Sequence, residues 1–127
     1  MKEKLVFIID DDKVILNLLE YIFKSKDGYE VRTFSSGEEC LANLHLDPDL
    51  IVMDYLFYSD GNQSMTGMES LKEIRKQGNI VPVIILSGHD DQQLRKDFLD
   101  NGADDFVLKA DYFIDNLVEA VYKIFGC

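Results

Sequence analysis

Five short apolar runs, separated by segments with helical periodicity, constrain the fold of this chain more than any other feature. Three of the runs are apolar almost throughout, which is typical of parallel strands that helices cover on both faces. We expect strands at Leu5–Ile9, Tyr29–Phe34, Leu50–Met53, Val81–Leu86 and Phe106–Leu108. Strand and helix alternating five times predict an α/β sandwich with right-handed crossovers.

Apolar stripes at helical spacing lie between these runs. The clearest are Val14, Ile15, Leu18, Leu19, Ile22 and Phe23; Met68, Leu71 and Ile74; and Phe113, Leu117, Val118, Val121 and Ile124. Ser36 and Glu39 have the spacing of a capping box, which predicts a helix running from there towards Leu46. The segment 90–101 carries a stripe of only Leu94, Phe98 and Leu99. We therefore expect this helix to pack weakly and to be the part that moves.

Length and charge limit the class of protein. A chain of 127 residues, 46% of them apolar, suffices for one core, so we expect a single domain over residues 1–127. Two cysteines are too few for a disulfide framework, and no apolar run approaches the ~20 residues that span a bilayer. These features predict a cytoplasmic protein without membrane contact. The net charge of −11 disfavours direct binding to nucleic acid.

Polar residues close the predicted strands and form a chemically coherent set. They are Asp10 and Asp11 after the first strand, Asp54 after the third, Ser87 after the fourth and Lys109 after the fifth. The carboxyl ends of parallel strands meet at one edge of a sheet, so these side chains should converge there. Converging carboxylates repel one another unless they are protonated or bind a hard cation, for which Mg²⁺ is well suited.

This set is suited to phosphoryl chemistry. Asp54 closes the buried run IVMD and can act as a nucleophile on a phosphoryl group. Phosphoryl transfer needs mainly positioning and charge neutralisation, which a cation, the Lys109 ammonium and the Ser87 hydroxyl can supply to the phosphoryl oxygens. The strand ends therefore predict a phosphoryl-accepting site.

The same landmarks resemble the receiver domains of two-component response regulators, over nearly the whole chain. In order, they are FIIDDDKVILNLL, DLIVMDY, TGMESL, VPVIILSG and NGADDFVLK. The resemblance implies a flavodoxin-like (βα)5 three-layer sandwich, similar to chemotaxis regulators, with a parallel five-stranded sheet in the order 2-1-3-4-5.

The resemblance also implies roles for the acidic residues. Asp54 would take a phosphoryl group from a histidine kinase or a histidine phosphotransfer protein. Asp11, Asp54 and the backbone carbonyl of Leu56 would bind Mg²⁺, for which Mn²⁺ can substitute. Asp10 would act on the metal through water, and Asp12 would begin the first helix.

The remaining implied roles concern the switch. Ser87 and Lys109 would contact the phosphoryl group, and Ser87 would move towards it while the ring of Phe106 turns inward. Such a chain is not an enzyme, apart from its own phosphorylation and dephosphorylation. A partner would dock on an output face, and homodimerisation stays open. That face consists of the helix at 90–101, the strand at 105–108 and the helix at 111–125.

Two departures from the family pattern surround the site. Asp54 and Gly67 are thirteen positions apart, several more than is usual, so residues 57–64 form either a neutral insertion or a flap that slows donor access or phosphate loss. Ala110 stands where the family has a proline after the lysine. We nevertheless expect a cis Lys109–Ala110 bond.

A third departure concerns the lifetime of the phosphoryl group. The position two residues after the acceptor is Leu56, and the position two residues after the hydroxyl is His89. In this family, these positions influence how long the phosphoryl group survives. An apolar side chain cannot orient an attacking water, so we expect a long lifetime.

Other readings of the sequence are weaker. DDDKV at 10–14 fits the nucleophile motif of haloacid-dehalogenase-type phosphatases, but those enzymes place their lysine before the final acidic pair, whereas Lys109 follows Asp104 and Asp105. A flavin module would need Gly, Ser or Thr in the first loop, where acids stand. A receiver-shaped interaction module that is never phosphorylated is the remaining alternative.

Overall fold

Strands and helices alternate along the chain as the apolar pattern predicts. The structure is a computed structural model and describes residues 3–55 and 65–126. Within these ranges the elements are β1 (Lys4–Ile9), α1 (Lys13–Lys24), β2 (Tyr29–Phe34), α2 (Gly37–Ala42), β3 (Leu50–Asp54), α3 (Gly67–Lys76), β4 (Val83–Ser87), α4 (Gln92–Asp100), β5 (Asp105–Leu108) and α5 (Phe113–Phe125). None of these helices is long and apolar enough to cross a membrane.

The five strands form one parallel sheet in the order β2-β1-β3-β4-β5, which confirms the predicted topology. Every residue of β3 and β4 is buried, as expected for strands covered on both faces. In the register of the sheet, Asp54 pairs with Leu86 and Ser87 pairs with Leu108. The carboxyl ends of the strands therefore lie side by side.

Helices cover both faces of the sheet and create two cores. One core joins the sheet to α2, α3 and α4 through Cys40, Leu71 and Phe98. The other joins it to α1 and α5 through Leu19 and Leu117. Three layers result, as predicted.

Most helix starts agree with the sequence pattern. The Asp12 carboxylate accepts a hydrogen bond from the Val14 N–H and caps α1, as the resemblance implied. Ser36 caps α2 as expected, but α2 ends at Ala42 and a short 3-10 turn covers Leu44–Leu46. The helix expected to run towards Leu46 therefore ends before that residue, and the 3-10 turn takes the place of its last turn.

Few apolar contacts hold α4 against the sheet. Phe98 is its one fully buried residue, Leu94 is partly buried and Leu99 is exposed. The expected weak packing of this helix agrees with these burials.

Candidate functional site

The ends of three strands bring acidic residues and a lysine together. One oxygen from each of Asp10, Asp11 and Asp54 lies within 4.8 Å of the others. The Lys109 Nζ lies 2.9 Å from Oδ2 of Asp10 and 3.1 Å from Oδ1 of Asp54. Asp10 and Lys109 are 99 positions apart in the chain, so the sheet itself creates this contact.

Burial makes the charges of this cluster costly. Asp10 is 1% exposed and Asp54 8%. Loss of water raises the pKa of Asp54 to about 6, with repulsion from Asp10 adding to the shift and Lys109 opposing it. Burial also raises the pKa of Asp10, against the hydrogen bonds that its carboxylate accepts from Lys109 and from the Asp12 N–H.

The pKa of Lys109 shifts in the direction opposite to the one that burial alone would give. Burial alone would lower the pKa of Lys109, but the hydrogen bond to Asp10 and the charge of Asp54 outweigh it and raise the pKa. Lys109 therefore stays charged. One ammonium cannot balance three carboxylates.

A cleft of about 230 Å³ opens over the cluster. Its walls are Asp10, Asp11, Asp12, Asp54, Tyr55, Gly88, His89 and Lys109. Carboxylate oxygens are hard ligands, so the donor set fits Mg²⁺ or Mn²⁺ rather than a soft metal. Tyr55 and Gly88 were not predicted as part of the site. The available signal was that each directly follows a predicted site residue, Asp54 or Ser87.

The two predicted switch residues are both buried. Ser87 lies at the end of β4, where its hydroxyl donates to the His89 carbonyl and accepts from the His89 N–H, at 3.0 Å each. The hydroxyl is thus held by the turn between β4 and α4. The Phe106 ring lies 6.1 Å from the Phe98 ring, and its backbone carbonyl accepts a hydrogen bond from Arg95.

One expectation at the site was wrong. The Lys109–Ala110 bond is trans, because the described chain contains no cis peptide bond. A cis bond before a residue other than proline costs about 2.5–4 kcal/mol. The Ala110 N–H donates to the Leu108 carbonyl, a bond that proline could not form, and the trans chain still carries Lys109 to both aspartates.

Two further expectations fall on residues that the structure does not describe. The Leu56 carbonyl and the segment 57–64 both lie outside the described ranges. The proposed metal ligand and the proposed flap remain predictions from the sequence.

The curated proteins that this chain resembles include transcriptional regulators. The chain is 34% identical over 107 residues to the alkaline phosphatase synthesis transcriptional regulatory protein PhoP of Bacillus subtilis, an alignment covering 84% of this chain and 42% of that protein. It is 38% identical over 109 residues to the probable transcriptional regulator ycf27 of Guillardia theta, covering 85% of this chain and 40% of that protein. The chain thus spans about two fifths of the length of the curated relatives it matches.

Solved structures of response regulators share the fold of the described residues. A putative response regulator from Chloroflexus aurantiacus is 27% identical, with a TM-score of 0.84 and coverage of 99% of this chain and 100% of that one. The receiver domain of the Francisella response regulator 1452 is 26% identical, with a TM-score of 0.83 and coverage of 98% of both chains. The family model of the response regulator receiver domain matches residues 6–122. With its strand order, its acidic cluster and this match, the chain belongs to the receiver domains of two-component response regulators.

Proposed function

We propose that this chain is a phospho-acceptor switch in which Asp54 takes a phosphoryl group from the phosphohistidine of a kinase or a phosphotransfer protein. The observation that carries the proposal is the position of Lys109, whose ammonium contacts the buried carboxylates of Asp54 and Asp10 at once. A cation beside an acceptor carboxylate is what phosphoryl transfer requires, because negative charge gathers on the transferring oxygens.

The transfer step can be written with Asp54 as the nucleophile. One oxygen of its carboxylate bonds to phosphorus while the phosphorus–nitrogen bond of the phosphohistidine breaks. The electron pair of that bond leaves with the imidazole nitrogen of the donor. With a pKa of about 6, Asp54 is mostly ionised at neutral pH and is able to attack.

The acidic cluster is suited to hold Mg²⁺ during this step. We expect Asp11, Asp54 and the Leu56 carbonyl to bind it directly and Asp10 to act through water, with Mn²⁺ as a substitute. When bound, the cation supplies positive charge to the acceptor and to the phosphoryl oxygens. The support from the structure is that three carboxylates, which offer only oxygen ligands, converge in one cleft that also contains a single lysine.

The output of the switch would follow from the added charge. A phosphoryl group on Asp54 would draw in Lys109 and the Ser87 hydroxyl. Ser87 must then give up its two hydrogen bonds to His89, which frees the turn that leads into α4. Because α4 is weakly packed, we expect it to move when this turn is freed. We expect the output face to consist of α4, β5 and α5, with Phe106 on β5.

The partners are proposed on the same basis. A kinase or phosphotransfer protein would approach the cleft, and a docking partner or a second copy of the chain would bind the output face. The curated relatives are transcriptional regulators, but this chain is strongly acidic and we expect no direct contact with nucleic acid. Its cytoplasmic location and its single domain over residues 1–127 remain predictions.

The test is incubation with a small phosphodonor and Mg²⁺, followed by intact-mass measurement. We expect one added phosphoryl group, lost in Asp54→Asn and retained in Asp12→Asn. The second variant is a matched control because asparagine caps a helix as well as aspartate does. No modification with either a small donor or a phosphohistidine protein would favour the unphosphorylated interaction module. Turnover of a phosphate ester would favour the phosphatase.

A further inference from the structure

We propose that Tyr55 is a positioning residue that couples the acceptor site to α4, a role that rests on the proposed function. Its ring is nearly perpendicular to two neighbouring rings, one on the turn after β4 and one on α4. The ring centroids are 5.8 Å apart for Tyr55 and His89, at 84°, and 6.4 Å apart for Tyr55 and Phe98, at 87°. Tyr55 thus contacts both the turn after β4 and the one fully buried residue of α4.

The backbone of Tyr55 is held on both sides. Its N–H donates to the Leu86 carbonyl at 2.9 Å, and its carbonyl accepts from the Gly67 N–H at 3.1 Å. A Cβ added at Gly67 would lie 2.6 Å from that carbonyl, so α3 packs directly against this peptide. The ring therefore projects from a fixed point next to Asp54.

The turn that the ring contacts is the part expected to move. Ser87 now holds the His89 backbone through two hydrogen bonds, and both must break if the hydroxyl turns to a phosphoryl group. The Tyr55 ring contacts the rings of His89 and Phe98 and not the Ser87 hydroxyl. When the hydroxyl releases the turn, these ring contacts would make the turn and α4 move together.

Further contacts link α4 to β5. The Phe98 ring lies 6.1 Å from the Phe106 ring, which packs in the same core. Arg95 ties α4 to β5 through its hydrogen bond to the Phe106 carbonyl at 3.1 Å. A displacement of Phe98 against Tyr55 therefore reaches the strand at the centre of the output face.

The test compares Tyr55→Ala, Tyr55→Phe and the control Tyr29→Ala. Tyr29 also makes edge-on and tilted ring contacts, with Phe23 and Phe125, but it begins β2 at the opposite end of the sheet. Each protein is saturated with beryllofluoride, a phosphoryl mimic, and Mg²⁺, and the amide shifts of residues 92–100 are followed by NMR.

At beryllofluoride and Mg²⁺ concentrations raised until each variant is saturated, whatever its affinity, we expect the changes in the α4 amide shifts of Tyr55→Ala to be roughly fivefold smaller than in the parent protein, as loss of a coupling contact implies. Tyr55→Phe and Tyr29→Ala should respond like the parent protein, because each keeps the ring at position 55. If Tyr55→Ala does not fold, Tyr55→Leu replaces it, with the same expected loss.

Changes in the α4 amide shifts of Tyr55→Ala as large as those of the parent protein would overturn the inference, as would the same result in Tyr55→Leu where that variant replaces it. An equal loss in Tyr29→Ala would overturn it too, because the effect would then be general destabilisation. If the parent protein itself failed to bind beryllofluoride, the proposed function would fall, and this inference with it.

Discussion

Lys109 and Asp54 lie 3.1 Å apart, between the ammonium Nζ and the carboxylate Oδ1, at the ends of two strands that are not neighbours in the sheet. The contact spans β4, which separates β3 from β5. The same ammonium binds Asp10, so one cation stabilises two buried carboxylates. We therefore expect the stability of the metal-free protein and the proposed phosphoryl transfer to depend on the same side chain.

Replacing Lys109 by methionine should destabilise the metal-free protein at pH 7.5 by about 2–4 kcal/mol, because two buried carboxylates lose their cation. Urea unfolding in the presence of a chelator measures this. The double variant Lys109→Met with Asp54→Asn should recover part of the loss, since one of the unbalanced charges is gone. An unchanged unfolding midpoint in Lys109→Met would contradict the role assigned to the contact.

Asp54→Asn should stabilise the metal-free protein at pH 7.5, by about 1–3 kcal/mol. At this pH Asp54 is ionised in the folded chain although burial raises its pKa to about 6, and asparagine removes this unfavourable buried charge. Asp54 takes up its proton at about 6 in the folded chain and near 3.8 in an unfolded one. Stability from this protonation is therefore complete below about pH 4 and is lost as the pH rises through 6.

The advantage of Asp54→Asn should accordingly shrink at pH 5. Urea unfolding in chelator at pH 5 and pH 7.5 measures it, with Asp12→Asn as the control that leaves the cluster intact. If the stability difference between Asp54→Asn and the parent protein grew towards low pH, the predicted direction of the pH dependence would be wrong.

Mg²⁺ should raise the unfolding temperature of the protein, and more strongly at pH 7.5 than at pH 5, where protons compete for Asp54. At about a hundred times its dissociation constant, the ion should add ~2.7 kcal/mol. Asp11→Asn should lose most of this gain, whereas Asp91→Asn, at the cap of α4, should keep it. Equal gains at both pH values in all three proteins would indicate nonspecific binding.

Arg75→Ala should destabilise the protein by about 2–3 kcal/mol, because the Arg75 guanidinium connects the loop after α3 to the loop after α4. It donates twice to the Gly102 carbonyl, at 2.7 and 3.1 Å, and also to the Asn79 and Val81 carbonyls. Arg75→Lys should recover only a fraction, since an ammonium cannot match this planar geometry.

Chemical unfolding of Arg75→Ala and Arg75→Lys beside Lys76→Ala measures this effect. Lys76 is the next residue of α3 and is exposed, so its removal should change little. A complete recovery in Arg75→Lys would show that charge alone matters.

The phosphoryl group on Asp54 should decay slowly, because Leu56 has no polar group to orient water. Leu56→Asn should shorten the lifetime severalfold, measured by the loss of the phosphorylated mass after the donor is removed. Val14→Asn is a control, since Val14 is an exposed apolar residue near the start of α1 and does not line the cleft. Rapid decay with Leu56 intact would contradict the expectation.

The roles of several residues could be predicted because each depends on a short stretch of sequence. Ser36 caps α2, as its spacing from Glu39 predicts, and Asp12 caps α1, as the resemblance implied. Asp54 follows a run of four apolar residues, which places it at the end of a buried strand. Periodicity and strand-end position are local properties, so they can be seen without the tertiary structure.

Other features depend on contacts that no short stretch contains. The ring of Tyr55 lies against His89 and Phe98, and the Ser87 hydroxyl is held by His89, because β3, β4 and α4 are packed together. The family pattern suggested a cis bond at Ala110, but the trans chain satisfies the Ala110 N–H and still carries Lys109 to its partners.

The amino-acid sequence by itself determined the alternation of strands and helices, the order of the layers and the identity of the side chains at the strand ends. Only the tertiary structure decided how Lys109 is shared between Asp10 and Asp54, how far the pKa of Asp54 rises, and which rings link the cleft to α4. The reason is physical: periodicity acts over a few neighbouring residues, whereas burial and charge depend on every group that folding brings near, whatever its distance along the chain.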